Sequence, residues 1–127
     1  MRDIKFRAWC EGTHGNMTVT KPFMDYDVTI INGKYASVEG GWDIHGTYAT
    51  IPLMQYTGLK DKNGREIYEG DILQWAHYKG VVRYKQDVCQ FMIEDPATPQ
   101  YPDTTWRLVD NKNVVIGNIY ENPELLT

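Results

Sequence analysis

Residues 53–73 read LMQYTGLKDKNGREIYEGDIL, and this polar stretch decides how the chain folds. The Asn-Gly pair at 63–64 supplies a positive φ angle at little cost, and Asp61 can accept a hydrogen bond from the backbone two residues further on. The Gly-Asp pair at 70–71 offers a second sharp bend directly before an apolar strand. The stretch therefore predicts two tight turns that connect short β-strands.

Short strands are also predicted along the rest of the chain, and helix signals are scarce. At residues 4–9, Ile, Phe and Ala alternate with Lys, Arg and Trp, which predicts a half-buried first strand. Further strands are predicted at 67–75, 81–85, 88–94, 106–109 and 114–120. The clean helix-start signal is Asn122 followed by Pro123, and it leaves room for at most one turn.

A hairpin is predicted within residues 27–38, because the Asn-Gly pair at its centre is the one that a two-residue type I′ turn prefers. In that register Ile30 pairs with Tyr35, and Val28 pairs with Ser37. The paired side chains share one face of the hairpin.

The strand spacing after residue 67 predicts a mainly β fold. It indicates a small antiparallel barrel of the SH3-like kind, with an N-terminal strand and hairpin as an extension and little helix. An OB-type barrel is the main alternative. That fold usually has a helix between its third and fourth strands, and the loop at 95–105, which contains three prolines, cannot supply one.

Length and composition fit one globular domain. The chain has 127 residues, 42% of them hydrophobic, and its nine Tyr, four Trp and three Phe favour strands and rigid contact surfaces. The net charge of −4 argues against a surface coated in phosphate-binding Lys and Arg, although it allows a local basic patch. The N-terminus has no signal-peptide pattern and no stretch could span a bilayer, so a cytoplasmic location is expected.

Two loop chemistries can be tested on residues 60–71, KDKNGREIYEGD, and both fail. A phosphate-binding P-loop needs Lys followed by Ser or Thr after its glycines, and no such pair follows Gly58, Gly64 or Gly70. A calcium loop of the EF-hand type needs its glycine at the sixth position, whereas Gly64 comes two residues too early.

No catalytic, metal or cofactor residues are predicted. Glu66, Glu69 and Asp71 are candidates for a general acid/base pair, but they are interleaved with apolar residues as on a solvated strand edge. The three histidines have no ligand spacing, and the single serine has no GxSxG around it. Cys10 and Cys89 each lie among apolar neighbours, which predicts two reduced thiols packed as small hydrophobic groups; a disulfide is the alternative.

Nucleic acid is the strongest ligand hypothesis for the stretch itself. Basic side chains beside an aromatic residue can follow phosphates while a base stacks on the ring. The candidate contacts are Lys60, Lys62, Arg65 and Tyr68. Neighbouring carboxylates nearly cancel this local charge.

Three motifs stand out together: MRDIKFRAW at 1–9, the stretch at 53–73, and VIGNIYENPELL at 115–126. Together they resemble the YopX family, small proteins encoded by bacteriophages and prophages. The resemblance implies one YopX-like domain over 1–127, with a more variable strand and hairpin region at 1–50 and a barrel core at 51–127. It implies an SH3-like β domain that acts in the bacterial host cytoplasm, and it supplies no catalytic residue or cofactor.

Two functions follow as expectations, and neither is enzymatic. The first is a phage accessory protein that binds an unknown host or phage protein through rigid aromatic side chains. Its candidate contacts are Tyr56, Tyr68, Tyr78, Tyr101 and Trp106. The alternative is a nucleic-acid-binding accessory protein that uses Lys5 and Arg7 or the loop at 60–65. Self-association through open strand edges is compatible with both, and no membrane contact is expected.

Overall fold

The structure is a computed structural model that describes residues 3–14, 17–26, 28–31, 34–37, 53–76, 78–95, 105–108 and 112–126. Within these residues the backbone is mainly β, as the sequence predicts. The strands are β1 (Phe6–His14), β2 (Met17–Asp25), β3 (Val28–Ile31), β4 (Lys34–Ser37), β5 (Leu53–Lys60), β6 (Glu66–Tyr68), β7 (Asp71–Trp75), β8 (Tyr78–Lys85), β9 (Gln90–Glu94), β10 (Thr105–Arg107) and β11 (Val114–Asn118). A short 3-10 helix covers Pro123–Leu126.

The chain divides into two compact units, and the division falls inside β5. One unit is Ile4–Gln55, and the other is Tyr56–Thr127 together with Met1–Asp3. The division lies a few residues after the boundary at 50/51 that the sequence suggests. That the whole chain forms one domain stays a prediction.

In the first unit β1 pairs antiparallel with β2 and with the start of β5, where Arg7 lies opposite Met54. The predicted half-buried alternation of this strand is wrong, because Ala8, Trp9 and Arg7 are all buried. Successive residues of a strand point to opposite faces, so the burial of Arg7, Ala8 and Trp9 in sequence shows that both faces of this part of β1 are buried.

The predicted hairpin is confirmed in β3 and β4. Ile30 lies opposite Tyr35 and Val28 opposite Ser37, which is the register that a two-residue loop requires. The two loop residues at 32–33 lie outside the described part of the chain.

In the second unit five strands form an antiparallel sheet in the order β10-β9-β8-β7-β11. One sheet of the protein is curled into a half-barrel, consistent with the small β-barrel that the sequence predicts. The buried side chains of this unit include a hydrophobic cluster that consists of Ile67, Leu73, Val82, Ile93, Leu108 and Val115. The predicted strand at 67–75 is two strands, β6 and β7, separated by the turn at Gly70.

Close packing inside this sheet explains why residue 80 is a glycine. Gly80 lies in β8, where a Cβ atom would collide with Cγ2 of Ile93 in the core.

The predicted turn at the C-terminus is confirmed as the 3-10 helix, but Asn122 does not start it through its side chain. Its Oδ1 instead accepts a hydrogen bond from the backbone N–H of Asn118 (3.2 Å).

Candidate interaction surfaces

The turn between β5 and β6 is built around one buried carboxylate. Asp61 is 2% exposed, and its Oδ1 accepts hydrogen bonds from the backbone N–H groups of Asn63 (2.9 Å) and Arg65 (2.8 Å). The first of these bonds is the one that the sequence predicts. The Oδ2 atom accepts a third bond, from the backbone N–H of Val115 in β11 (3.0 Å). A single side chain therefore shapes the turn and fastens it to β11.

Residues 61–65 are here called the Asp61 turn. Backbone hydrogen bonds also close this turn and hold it beside β11. Gly64 donates its N–H to the carbonyl of Asp61 (3.0 Å), and its φ of 83° fits the predicted Asn-Gly pair. Lys62 donates its N–H to the carbonyl of Asn113 (2.8 Å), directly before β11. Since β11 is the last strand of its sheet, the Asp61 turn covers part of an edge that would otherwise expose unpaired backbone groups.

The charge of Asp61 is stabilised by the groups around it. Burial raises the pKa of its carboxyl, but N–H donation from Val115, Arg65 and Asn63 lowers the pKa, as does the positive charge of Arg65. The net result is a pKa below the ordinary value. The carboxylate is therefore ionised at neutral pH, the state in which it can accept all three bonds.

A second buried carboxylate closes the turn at 69–70. Asp71 Oδ2 accepts a hydrogen bond from the backbone N–H of Tyr68 (2.8 Å), and Gly70 has a φ of 84°. Gly70 also donates its N–H to the carbonyl of Val82 (2.9 Å). Asp71 is only 1% exposed, so the prediction that it lies on a solvated edge is wrong. Its oxygen is needed inside the turn.

The predicted nucleic-acid contacts separate into three exposed cations and one buried ring. Lys60, Lys62 and Arg65 are exposed around the Asp61 turn. Tyr68 is 4% exposed and packs on Tyr56, with ring centroids 5.5 Å apart. The two tyrosines are cross-strand partners whose rings both lie in the interior. The prediction that Tyr56 and Tyr68 contact a partner is therefore wrong, and so is the prediction that a base stacks on Tyr68.

The structure adds Lys112 to the exposed cations. Lys112 is exposed and directly precedes Asn113, the residue whose carbonyl accepts the N–H of Lys62. No local pattern in the sequence could have placed Lys112 beside the turn, because its position follows from the bond between Lys62 and Asn113. We call Lys60, Lys62, Arg65 and Lys112 the cationic turn surface. Glu66, the half-buried cross-strand partner of Lys60, offsets part of the charge.

The other predicted pair of cations, Lys5 and Arg7, is not exposed at the surface. Lys5 is half-buried, and Arg7 is 1% exposed. The guanidinium carbon of Arg7 lies 5.9 Å from the ring centroid of Tyr26, and its Nη1 donates to the Tyr26 hydroxyl (3.5 Å). The prediction that Arg7 contacts nucleic acid is therefore wrong. Tyr101 and the side chain of Trp106 lie outside the described residues.

An apolar surface lies at the tip of the β8–β9 hairpin. Tyr84 and Phe91 are opposite each other in the two strands, and their rings meet edge to face with centroids 5.2 Å apart. Phe91 is half-buried against the core, whereas Tyr84 is 47% and Val88 50% exposed. We call these three residues the hairpin-tip surface. At the other end of β8, Tyr78 is 48% exposed and stacks on Trp75.

The two cysteines have different surroundings, and neither is in a disulfide. Cys10 is buried in β1, as predicted. Cys89 is exposed in the turn before β9, with a φ of 51°, so the prediction that it packs as a small hydrophobic group is wrong. The cause is that β9 begins at Gln90, which leaves Cys89 in the turn.

The described residues hold no group of three His, Cys, Asp or Glu side chains placed to bind a metal ion. None of the helical segments in that part of the chain has the length and apolar character to cross a membrane. Over the described residues, fold and surfaces define a mainly β protein with two turns closed by carboxylates, a cluster of exposed cations and an exposed aromatic hairpin tip.

The chain belongs to the YopX family, whose model, described as YopX protein, matches residues 5–127. It is similar to a solved structure, the crystal structure of protein EF1440 from Enterococcus faecalis. The two share 29% sequence identity with a TM-score of 0.51, and the match covers 100% of each chain. No curated protein matches this chain.

Proposed function

We propose that this chain is a phage- or prophage-encoded accessory protein that binds a host or phage protein in the bacterial cytoplasm and does not catalyse a reaction. Membership of the YopX family supports the association with phage. The observation that carries the proposal of protein binding is the hairpin-tip surface, where Tyr84 and Val88 are about half exposed on a paired hairpin.

The physical basis is the rigidity of that surface. Aromatic side chains have few rotatable bonds and supply large contact area, so they lose little entropy when a partner covers them. The Tyr84 ring is braced by Phe91, which in turn packs on the core. A salt bridge from Lys85 to Glu94 (2.6 Å) links the two strands beside it. The surface is therefore already formed before a partner arrives.

The experiment is in-cell photo-crosslinking of a tagged protein in a bacterial host carrying an induced prophage. The test variant is Tyr84→Ser combined with Val88→Ser. The control is Ile4→Ser, which removes an exposed hydrophobic side chain outside the β8–β9 hairpin. The proposal expects one crosslinked protein to be recovered with the wild type and the control and lost with the double variant. Equal recovery with the folded double variant would contradict it.

Nucleic-acid binding is a second candidate function, favoured by the exposure of the four cations of the cationic turn surface. Cations that contact several phosphates release counterions, so the affinity should fall steeply as salt increases. Fluorescence anisotropy with labelled single- and double-stranded DNA and RNA over a salt series measures this dependence. Absence of binding at low salt would remove the candidate.

A further inference from the structure

We infer that the cationic turn surface binds an acidic segment of a partner protein, whose Asp or Glu carboxylates contact Lys60, Lys62, Arg65 and Lys112. The inference rests on the proposed function, that this chain binds a protein, and it assigns a chemistry to that partner. It also places the contact on a surface other than the hairpin tip.

The backbone that carries these cations is held rigidly. Asp61 accepts three backbone N–H groups, and Lys62 donates its own N–H to Asn113. Because the turn is already ordered, an acidic ligand need only order the ends of the side chains. The carboxylate of Asp61 is buried and bonded to three backbone N–H groups, so it is not exposed at the surface, although its charge acts on Arg65.

Charge favours a short acidic segment over a nucleic acid. The chain has 13 Lys and Arg against 17 Asp and Glu, and four of the 13 are in this surface. The rest of the chain is therefore strongly acidic. Charges act over roughly 10 Å at moderate salt. A polyanion longer than this is repelled by the excess of acidic residues in the rest of the chain, whereas a short acidic segment is not. The burial of Tyr68 also removes the ring on which a base could have stacked.

The test is fluorescence anisotropy at low salt with three labelled probes. They are a peptide of alternating Glu and Ser, the matching peptide of Gln and Ser, and an oligothymidine several times as long. The test variant combines Lys62→Glu with Lys112→Glu. The control combines Lys21→Glu with Arg83→Glu, which makes the same change in net charge at two exposed cations elsewhere. Thermal melting verifies that both variants fold.

We expect the wild type and the control to bind the Glu peptide in preference to both other probes. The test variant should bind it roughly tenfold more weakly, since two attractive contacts become repulsive. Equal binding by the test variant, or no binding by the wild type, would overturn the inference. Tighter binding of oligothymidine would also overturn it and assign the surface to nucleic acid.

The crosslinking experiment with the Lys62→Glu and Lys112→Glu variant separates this inference from the proposed function. A partner that is lost with the hairpin-tip variant but fully retained with the cation variant leaves the proposed function intact and refutes the inference. Loss of the same partner with both variants supports both.

Discussion

Replacing Asp61 with Asn should destabilise the folded protein by about 3 kcal/mol. A hydrogen bond to a charged group contributes roughly 1.5–3 kcal/mol, and an unsatisfied buried donor costs roughly 1–3 kcal/mol. An amide keeps one acceptor oxygen. If that oxygen takes the position of Oδ1, the bonds from Asn63 and Arg65 remain, and the new NH₂ group faces the N–H of Val115. The variant then loses the hydrogen bond between the charged carboxylate and Val115, and it leaves the buried N–H of Val115 without an acceptor.

Urea denaturation followed by tryptophan fluorescence at pH 7 measures this change. The matched control is Asp87→Asn, which makes the same chemical change at an exposed position in the β8–β9 turn. We expect the free energy of unfolding of the control to lie within about 0.5 kcal/mol of the wild-type value, as is usual for surface substitutions. A change of less than about 0.5 kcal/mol for Asp61→Asn would refute the role given to this carboxylate.

The same variant has a predicted pH dependence. The folded pKa of Asp61 lies below its ordinary value, so its contribution is fully present above the unfolded pKa and is lost as the pH falls through the folded pKa. The difference in the free energy of unfolding between wild type and Asp61→Asn should therefore shrink in acid. Urea titrations at successively lower pH test this, and a difference that stays constant down to the acid transition would contradict it.

Three further predictions concern the turns, the core and the thiols. Gly64→Ala should cost roughly 1–2 kcal/mol in urea denaturation, because Gly64 has a φ of 83° and no neighbour that a methyl group could contact; an unchanged midpoint would argue against this turn geometry. Gly80→Ala should cost roughly 1–3 kcal/mol, because its Cβ would collide with Ile93, and a neutral result would show that the core has room. Ellman's reagent should modify Cys89 rapidly in the native protein and Cys10 only after unfolding, and rapid modification of both would contradict the burial of Cys10.

Local chemistry made the turns and the hairpin predictable. The Asn-Gly pair at 32–33 predicts a two-residue loop, and such a loop fixes the register, so the pairing of Ile30 with Tyr35 could be predicted without tertiary information. The bond from Asp61 to the N–H of Asn63 spans two residues and is equally local. The family resemblance, which the match over residues 5–127 confirms, was carried by the stretch at 53–73 together with the motifs at 1–9 and 115–126.

What the sequence missed depends on contacts between distant residues. Charged residues are usually exposed, which is why Asp71 and Arg7 were expected at the surface. Asp71 is buried because Tyr68 needs an acceptor, and Arg7 is buried because β1 is covered on both faces. The position of Lys112 follows from docking of the Asp61 turn on β11, a contact without a local pattern.

The central claim is that the polar stretch at 53–73 serves the fold, because Asp61 shapes its turn and fastens that turn to β11. An NMR titration that follows the carboxyl carbon of Asp61 and the amide of Val115 tests it most directly. The account predicts that both signals report one pKa below the ordinary value for Asp, because the two groups share a hydrogen bond. An ordinary or raised pKa for Asp61, or a Val115 amide that does not respond to it, would contradict the account.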